Sequence, residues 1–158
     1  MSAADDLVAL LAPRVGSETH VGPWLAVDQE RIDAFARVTG DLQWIHTDPE
    51  RARRESPYGT TVAHGFLTLS LLPFLTEANA PGHFERNYPG MRLRVNYGLN
   101  RVRFPAPVPA GSSLRARTVL KAVEPLGEAV QITYGITVEI EGGARPACVA
   151  EQVVRLYP

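Results

Sequence analysis

Near the middle of the chain lies Gly65-Phe-Leu-Thr-Leu-Ser-Leu-Leu-Pro-Phe-Leu75, a stretch that is apolar on nearly every side when it is wound as an α-helix. It has no polar face of any width, and a helix of that kind must be covered by other parts of the protein. The stretch is too short for the roughly twenty residues that a bilayer requires. It therefore predicts a central helix buried by protein, and Pro73 predicts a kink or a shifted end in its last turn.

The second half of the chain changes to the period of a β-strand. From Val130 to Ile140, apolar and polar residues alternate, which is typical of an antiparallel strand with one face in water. A turn is predicted at Glu141-Gly-Gly143, followed by a pairing strand from Ala147 to Tyr157. Ser113 to Ala122 is predicted to supply another strand before these two.

The stretch from Met91 to Phe104 also reads as a strand, but its register changes. Apolar residues occupy odd positions up to Leu99 and even positions from Val102. A change of this kind predicts a β-bulge near Gly98 to Arg101.

Three shorter helices and one extended segment are predicted before the central helix. An N-cap side chain or a proline indicates where each helix begins, and glycine or proline indicates where two of them end. The predicted segments are a helix from Asp5 or Asp6 to Leu11, an extended piece from Trp24 to Val27, a helix between Asp28 and Gly40, and a brief helix from Asp48-Pro49 through Arg53.

Helices followed by four long antiparallel strands favour an α+β protein in which the sheet wraps around the apolar helix. This arrangement is the hot-dog fold. The chain has 158 residues and shows no internal repeat or linker, so we expect residues 1–158 to form a single domain.

Composition limits the classes of partner. Sixteen Lys and Arg residues face seventeen Asp and Glu residues, a formal net charge of −1, which predicts no nucleic-acid or membrane binding. The start of the chain resembles no export signal, and we expect a cytoplasmic protein. Cys148, the single cysteine, lies in a strand-like stretch and is predicted to be an inert packing residue.

The segment from Phe35 to Ala52 contains the main candidates for catalytic residues. It contains Val38-Thr-Gly-Asp41 and Ile45-His46, and Ala63-His-Gly65-Phe66 opens the central helix. This combination resembles the motif of the MaoC-like, (R)-specific enoyl-CoA hydratase family. The stretch from Asn96 to Pro105 further resembles the subgroup related to nodulation protein N. The resemblance implies a hot-dog homodimer that acts on acyl-CoA thioesters in fatty acid metabolism.

Asp41 and His46 are the predicted catalytic pair. Gly40 ends a helix before them, so both are expected on an ordered loop between helices, facing one cleft. Hydration of an enoyl thioester needs a base for the attacking water, a proton for C2 and stabilisation of the enolate-like oxygen. The two side chains can share one water, and the Gly65 N–H at the start of the central helix can stabilise the oxygen.

Each residue also has a purely structural interpretation. An Asp after a helix is often a turn residue and a loop His is often only hydrogen-bonded, whereas the complete motif favours catalysis. His64 is expected to fix local structure, and His20 and His83 to lie at the surface. The histidine spacing does not match a metal site, and we expect neither a metal nor a cofactor.

Five residues are candidates for substrate binding. The hydratases usually have Asn-Pro where this chain has Gln43-Trp44. We therefore expect the substrate pocket near Asp41 and His46 to differ from theirs. Phe66 and Trp44 are large enough to limit acyl length. Ser70 either faces the site or bonds its own helix backbone, and Asn100 is a candidate polar group of the pocket wall.

The resulting hypothesis is an (R)-specific enoyl-CoA hydratase, a hydro-lyase that equally acts as a 3-hydroxyacyl-CoA dehydratase. Two alternatives stay open from the residues. One is an acyl-CoA thioesterase, because the same fold supports hydrolysis with a carboxylate base. The other is a non-catalytic module that binds acyl thioesters and keeps the two residues as vestiges.

Overall fold

The computed structural model describes residues 2–158, in which six antiparallel strands form one sheet. The strand order is β1-β4-β5-β6-β3, and β2 pairs with β4 beside β1. The strands are β1 (Glu18–Val21), β2 (Leu25–Val27), β3 (Leu93–Arg103), β4 (Ser112–Leu126), β5 (Ala129–Ile140) and β6 (Cys148–Tyr157).

Seven helices accompany the sheet in the described part of the chain. Four of them, α3 and α5 to α7, have six residues or fewer. The helices are α1 (Ala3–Leu11), α2 (Gln29–Thr39), α3 (Trp44–Thr47), α4 (Pro49–Glu55), α5 (Gly65–Ser70), α6 (Leu72–Leu75) and α7 (His83–Asn87).

Local capping explains where the first helices begin and end. The Ser2 hydroxyl accepts a hydrogen bond from the Asp5 N–H, and the Asp5 carboxylate accepts one from the Ser2 N–H, so α1 begins two residues earlier than predicted. Asp28 caps α2 by accepting from the Arg31 N–H. Gly40 ends α2 in the left-handed conformation, with φ of 80°, which glycine adopts at little cost.

Helices α5 and α6 together form the predicted central helix, with the expected irregularity just before Pro73. Leu67, Leu72 and Leu75 pack into a core cluster with inward-facing residues of the sheet such as Val138. A second cluster lies under α1. The arrangement confirms the predicted α+β hot-dog fold, with the sheet wrapped around the central helix.

The expectation that this helix is covered on all sides is wrong for the protomer. Phe66 is 68% exposed and Phe74 is 54% exposed, and both lie on the side away from the sheet. A single sheet covers only one side of a helix, so the apolar pattern on the other side has no cover within the chain.

The long strands confirm the predicted period-two segments. β4 continues four residues beyond the predicted Ala122, and β5 and β6 pair as expected. The register of β3 against β6 shifts between Asn96 and Gly98 and again between Asn100 and Arg103, and Arg101 has a φ of 52°. The predicted bulge is therefore present and is double.

The sequence did not predict β1, α3 or α7, which are all short. Among residues 2–158, no helix combines the length and the apolar character that crossing a bilayer requires.

Candidate active site

Asp41 and His46 lie between α2 and α4, as the motif predicts. The expectation that both lie on a loop is wrong for His46, which belongs to the one-turn helix α3. Asp41 follows Gly40 in the connection and is 56% exposed at its side chain, whereas His46 is 8% exposed. The acid is therefore open to solvent and substrate, while the imidazole is held inside the fold.

One backbone contact fixes the orientation of the His46 ring. Nδ1 lies 2.6 Å from the carbonyl oxygen of Val62. A carbonyl oxygen can only accept, so Nδ1 carries the proton and donates it to Val62. In the neutral ring, Nε2 is then left with a lone pair and can accept a proton from water.

The surroundings of His46 favour the neutral ring. Burial lowers the pKa of His46 below its ordinary value of 6.5, and electrostatic repulsion from His64 lowers it further. The bond to Val62 and the nearby Asp41 carboxylate act in the opposite direction but are outweighed. Near neutral pH the ring is available as a proton acceptor.

His64 contacts both members of the predicted pair. Its ring stacks on that of His46 at a centroid distance of 3.8 Å, and its Nε2 donates to the backbone oxygen of Asp41 over 2.9 Å. The same nitrogen lies 4.0 Å from the Asp41 carboxylate. His64 is 4% exposed, in accord with its predicted structural role, and it links the two chain segments of the site.

Gln29 is a part of the site that the sequence did not indicate. Its amide nitrogen donates to the backbone oxygen of His46 over 2.7 Å and to Asp33 over 2.8 Å, and its amide oxygen accepts from the Thr61 hydroxyl. It therefore ties α2 to α3. As the first residue of α2 it looks like a solvent-facing polar residue, and no spacing rule distinguishes it.

Gly65 lies at the first position of α5, directly after His64. Within residues 2–158 its N–H has no backbone acceptor, as expected for the first turn of a helix. A Cβ atom at this position would lie 2.9 Å from the Phe104 ring. The absence of a side chain at Gly65 therefore allows the Phe104 ring to pack directly against the start of the helix.

The predicted substrate-binding residues are only partly brought together. Phe66 is exposed beside Gly65, and its ring meets that of Phe104 at 6.3 Å. Gln43 is exposed before α3, but Trp44 is directed at α4, where the Arg51 guanidinium lies 4.3 Å from its ring centre. Trp44 therefore does not block the site from this position.

Ser70 and Asn100 have no described contact with the catalytic pair. Ser70 is exposed at the end of α5, on the same side as Phe66 and Phe74. Asn100 is exposed on β3 opposite Glu151. Neither is a wall of the site within the protomer.

The fold also places three residues of metal-binding types together. Ligand atoms of Asp41, His46 and His64 lie within 4.8 Å of one another. His46 and His64 are far apart in sequence, and their spacing did not indicate this convergence. His46 Nδ1 is occupied by Val62, so only Nε2 of that ring could serve as a ligand.

Comparison with known proteins agrees with this geometry. Residues 11–140 match the family described as MaoC like domain. The chain is 52% identical over 149 residues to 3-hydroxyacyl-thioester dehydratase Z of Mycobacterium tuberculosis, covering 94% of both chains. It is 46% identical over 141 residues to nodulation protein N of Rhizobium leguminosarum bv. viciae, covering 89% of this chain and 84% of that protein.

A solved structure supports the fold. The (R)-hydratase from A. caviae involved in PHA biosynthesis superposes with a TM-score of 0.61 at 22% identity, covering 89% of this chain and 98% of that one. At this identity the likeness is evidence for the fold alone. Together with the family match over most of its length, it shows that the chain belongs to the MaoC-like dehydratase family, in the group that includes nodulation protein N.

Proposed function

We propose that the protein is an (R)-specific enoyl-CoA hydratase, which in the reverse direction is a 3-hydroxyacyl-CoA dehydratase. The observation that carries this function is the convergence of the exposed Asp41 carboxylate, the oriented His46 ring and the Gly65 N–H. The 52% identity to a protein named as a hydroxyacyl-thioester dehydratase supports the same reaction class.

The reaction needs one water between Asp41 and His46. The Asp41 carboxylate and His46 Nε2 are both acceptors, so a water that donates to both directs its oxygen lone pair towards C3 of the substrate. As the C3–O bond forms, the pair takes one proton from the water and delivers it to C2, and the double bond becomes single. Delivery on the same side gives syn addition.

Gly65 is proposed to stabilise charge on the thioester oxygen. Electron density moves onto this oxygen while water attacks C3, and a backbone N–H in the first turn of a helix lies where the helix dipole is positive. Removal of one such donor typically costs about a hundredfold or more in rate. The missing side chain also leaves this backbone N–H without a Cβ beside it that could hinder a substrate oxygen.

The proposed mechanism uses no metal and no cofactor. Protein side chains supply both the base and the proton donor, and the helix supplies the stabilising dipole. We therefore expect hydratase activity to survive dialysis against a chelator. A loss of activity that is restored by a divalent ion would instead assign Asp41, His46 and His64 as ligands.

We also propose that the protein is a homodimer. β3 is an edge strand with apolar side chains in water, and the outer side of α5 and α6 is apolar as well. Exposed apolar area of this kind usually belongs to an interface, and pairing of two edge strands is a common way of covering it. The residues involved are Phe66, Phe74, Leu93, Val95, Tyr97, Leu99 and Phe104.

Three further parts of the hypothesis remain proposals. They are that residues 1–158 form one domain, that the protein works in the cytoplasm, and that its substrate is carried by coenzyme A. The chemistry at C2 and C3 requires only a thioester, so the choice of carrier must be measured.

The deciding experiment follows the enoyl-thioester absorbance when purified protein is mixed with crotonyl-CoA, with free thiol assayed in parallel. Loss of the band without thiol release is expected. Release of thiol would indicate the thioesterase, and binding without either change would indicate the non-catalytic module.

The catalytic pair is tested in the same assay with Asp41→Asn and His46→Gln. General acid–base groups contribute about a hundredfold to ten-thousandfold, so each variant is expected to lose at least about a hundredfold in kcat/KM. Asp6→Asn, an identical change on the exposed surface of α1, is the matched control. Full activity in Asp41→Asn would refute the mechanism.

A further inference from the structure

A cavity of about 340 Å³ lies at the far end of the central helix from the catalytic pair. Pro73 and Thr76 form one side of it, and β4, β5 and β6 form the opposite side. Its apolar walls include Leu11, Leu120, Ile136 and Val154. The volume falls at the lower end of the range for sites that bind small molecules.

The cavity has hydroxyl groups without acceptors. The hydroxyls of Tyr88 and Tyr134 lie 2.7 Å apart and share one hydrogen bond, so one of their two protons has no partner within the pair. Thr118 is 94% buried, and its hydroxyl has no hydrogen-bond partner among residues 2–158. A buried hydroxyl without a partner is destabilising, so both features favour a ligand that carries an acceptor oxygen.

The charges around the cavity favour an anionic acceptor. Arg14, Arg86 and Arg94 line it, against a single acidic residue, Glu77. Arg94 is held in place by the backbone oxygen of Ala78 at 2.9 Å and by Asn79. A carboxylate is the acceptor that guanidinium and hydroxyl donors bind best.

The single acidic residue of the lining, Glu77, lies beside two histidines. Glu77 lies 2.9 Å from His20 Nε2, at an angle that makes no good hydrogen bond, and its φ of 52° is unusual for a residue with a side chain. The His83 ring stands edge-on to His20 at 6.2 Å. The expectation that both histidines are isolated surface residues is therefore wrong.

One side of the central helix extends from the catalytic end to the cavity, and Gly65, Leu69 and Thr76 on this side are half-buried while Pro73 is exposed. Gly65, Leu69, Pro73 and Thr76 follow one another at helical spacing along it. From Gly65 to Thr76 the axial distance is about 16 Å at ~1.5 Å per residue. An extended polypeptide backbone advances about 1.2 Å per bond. An extended acyl chain with the same advance covers the distance in about thirteen bonds.

We propose that this cavity receives the far end of the acyl chain and selects chains that end in a carboxylate over chains that end in a methyl group. The inference rests on the proposed hydratase function, because it takes the thioester to lie at Gly65. The free hydroxyl protons and the arginines bind the terminal carboxylate, and the apolar walls hold the last methylene groups.

The test uses pairs of trans-2-enoyl-CoA substrates. The two members of a pair have the same chain length, and one ends in a methyl group and the other in a carboxylate. The pairs span chain lengths from about eight to about sixteen carbons. At the length that reaches the cavity, kcat/KM is expected to favour the carboxylate by at least about tenfold, the worth of one charge-assisted hydrogen bond. Equal values, or a preference for methyl at every length, would overturn the inference.

Two variants locate the preference in the cavity. The double variant Tyr88→Phe with Tyr134→Phe, which removes both hydroxyls of the pair, and the single variant Thr118→Val are each expected to reduce the carboxylate-to-methyl ratio, and a ratio taken on one variant cancels any general change in activity. Tyr157→Phe, the same change at the exposed end of β6, is the control and keeps the wild-type ratio. An unchanged ratio in both cavity variants would contradict the proposed binding site.

A binding measurement separates this inference from the proposed function. Saturated acyl-CoA esters have no double bond to hydrate, so they bind without turnover. The binding affinities of the methyl and carboxylate forms, measured by calorimetry, are expected to show the same preference for the carboxylate. Crotonyl-CoA hydration without a carboxylate preference overturns the inference alone. A free dicarboxylic acid that binds without competing with acyl-CoA would show a separate ligand site and also overturn it.

Discussion

At the scale of single residues, the bond from His46 Nδ1 to the Val62 carbonyl decides what the site can do. It leaves Nε2 as the reactive nitrogen in the neutral ring. Because the carbonyl belongs to the backbone just before α5, the same segment that positions Gly65 also orients the imidazole. The base and the stabilising dipole are thus set by one short stretch of chain.

The pH dependence of activity follows from the lowered pKa of His46. A base must be unprotonated, so kcat/KM falls as the pH drops through the pKa of His46, and this limb is expected below the ordinary value of about 6.5. His64→Asn removes the stacked ring whose electrostatic repulsion and contribution to burial lower the pKa of His46, and should move the limb to higher pH. A pH profile of both proteins measures this, and a limb that stays in place would contradict the assigned cause.

Cys148 gives a second test at this scale. Burial raises the pKa of its thiol to about 11, so almost none is ionised at neutral pH and the thiolate is the reactive form. A thiol-reactive disulfide is expected to leave the native protein unlabelled and to label it after denaturation. Rapid labelling of the native protein would show that the strand around Cys148 opens readily.

At the scale of elements, the central helix illustrates both the reach and the limit of sequence reasoning. Its apolar pattern correctly predicted a helix surrounded by a sheet, since the pattern depends on local periodicity. The pattern could not show whether the helix is buried by its own chain or by another protein surface. In the protomer Phe66 and Phe74 are exposed, so its own chain does not bury that side. Burial is a property of the assembly, whereas periodicity is a property of the segment.

Short elements were harder to predict for a related reason. β1 and α7 have four and five residues, too few for a periodic signal. They contain His20 and His83, whose edge-on ring contact depends on tertiary structure alone. The proximity of Asp41 and His46 was predictable because both lie within one motif, whereas Gln29 contacts His46 from another element and has no recognisable spacing.

Gly65 provides the prediction at this scale. Gly65→Ala adds a Cβ that would lie 2.9 Å from the Phe104 ring, so either the ring or the start of α5, which carries the proposed N–H donor, must shift. We expect kcat/KM to fall about tenfold or more with little change in unfolding free energy, because alanine suits a helix better than glycine.

A double variant tests the steric cause. Adding Phe104→Leu to Gly65→Ala should recover part of the lost activity, while Phe104→Leu alone defines the baseline. Strictly additive losses in this double-mutant cycle would exclude contact with Phe104 as the reason.

At the scale of the whole molecule, the proposed dimer would place two copies of the site in one particle. The chain has a mass of 17.3 kDa, so light scattering is expected to give about twice this value for the dimer. Val95→Lys introduces a charge on β3 and should lower the mass towards one chain. Leu126→Lys, a similarly exposed change at the far end of β4, is the control. A single-chain mass for the unaltered protein would refute the dimer.

The double bulge of β3 has a consequence for the behaviour of the protein in a crowded cell. An unpaired strand edge is a template for fibrils, which grow by adding flat, regular strands one after another. Two register shifts and the positive-φ Arg101 interrupt that regularity, and four arginines along this segment repel further copies of the same edge: Arg92, Arg94, Arg101 and Arg103. The edge thus resists open-ended polymerisation, and the dimer proposed above would pair it with one further copy only.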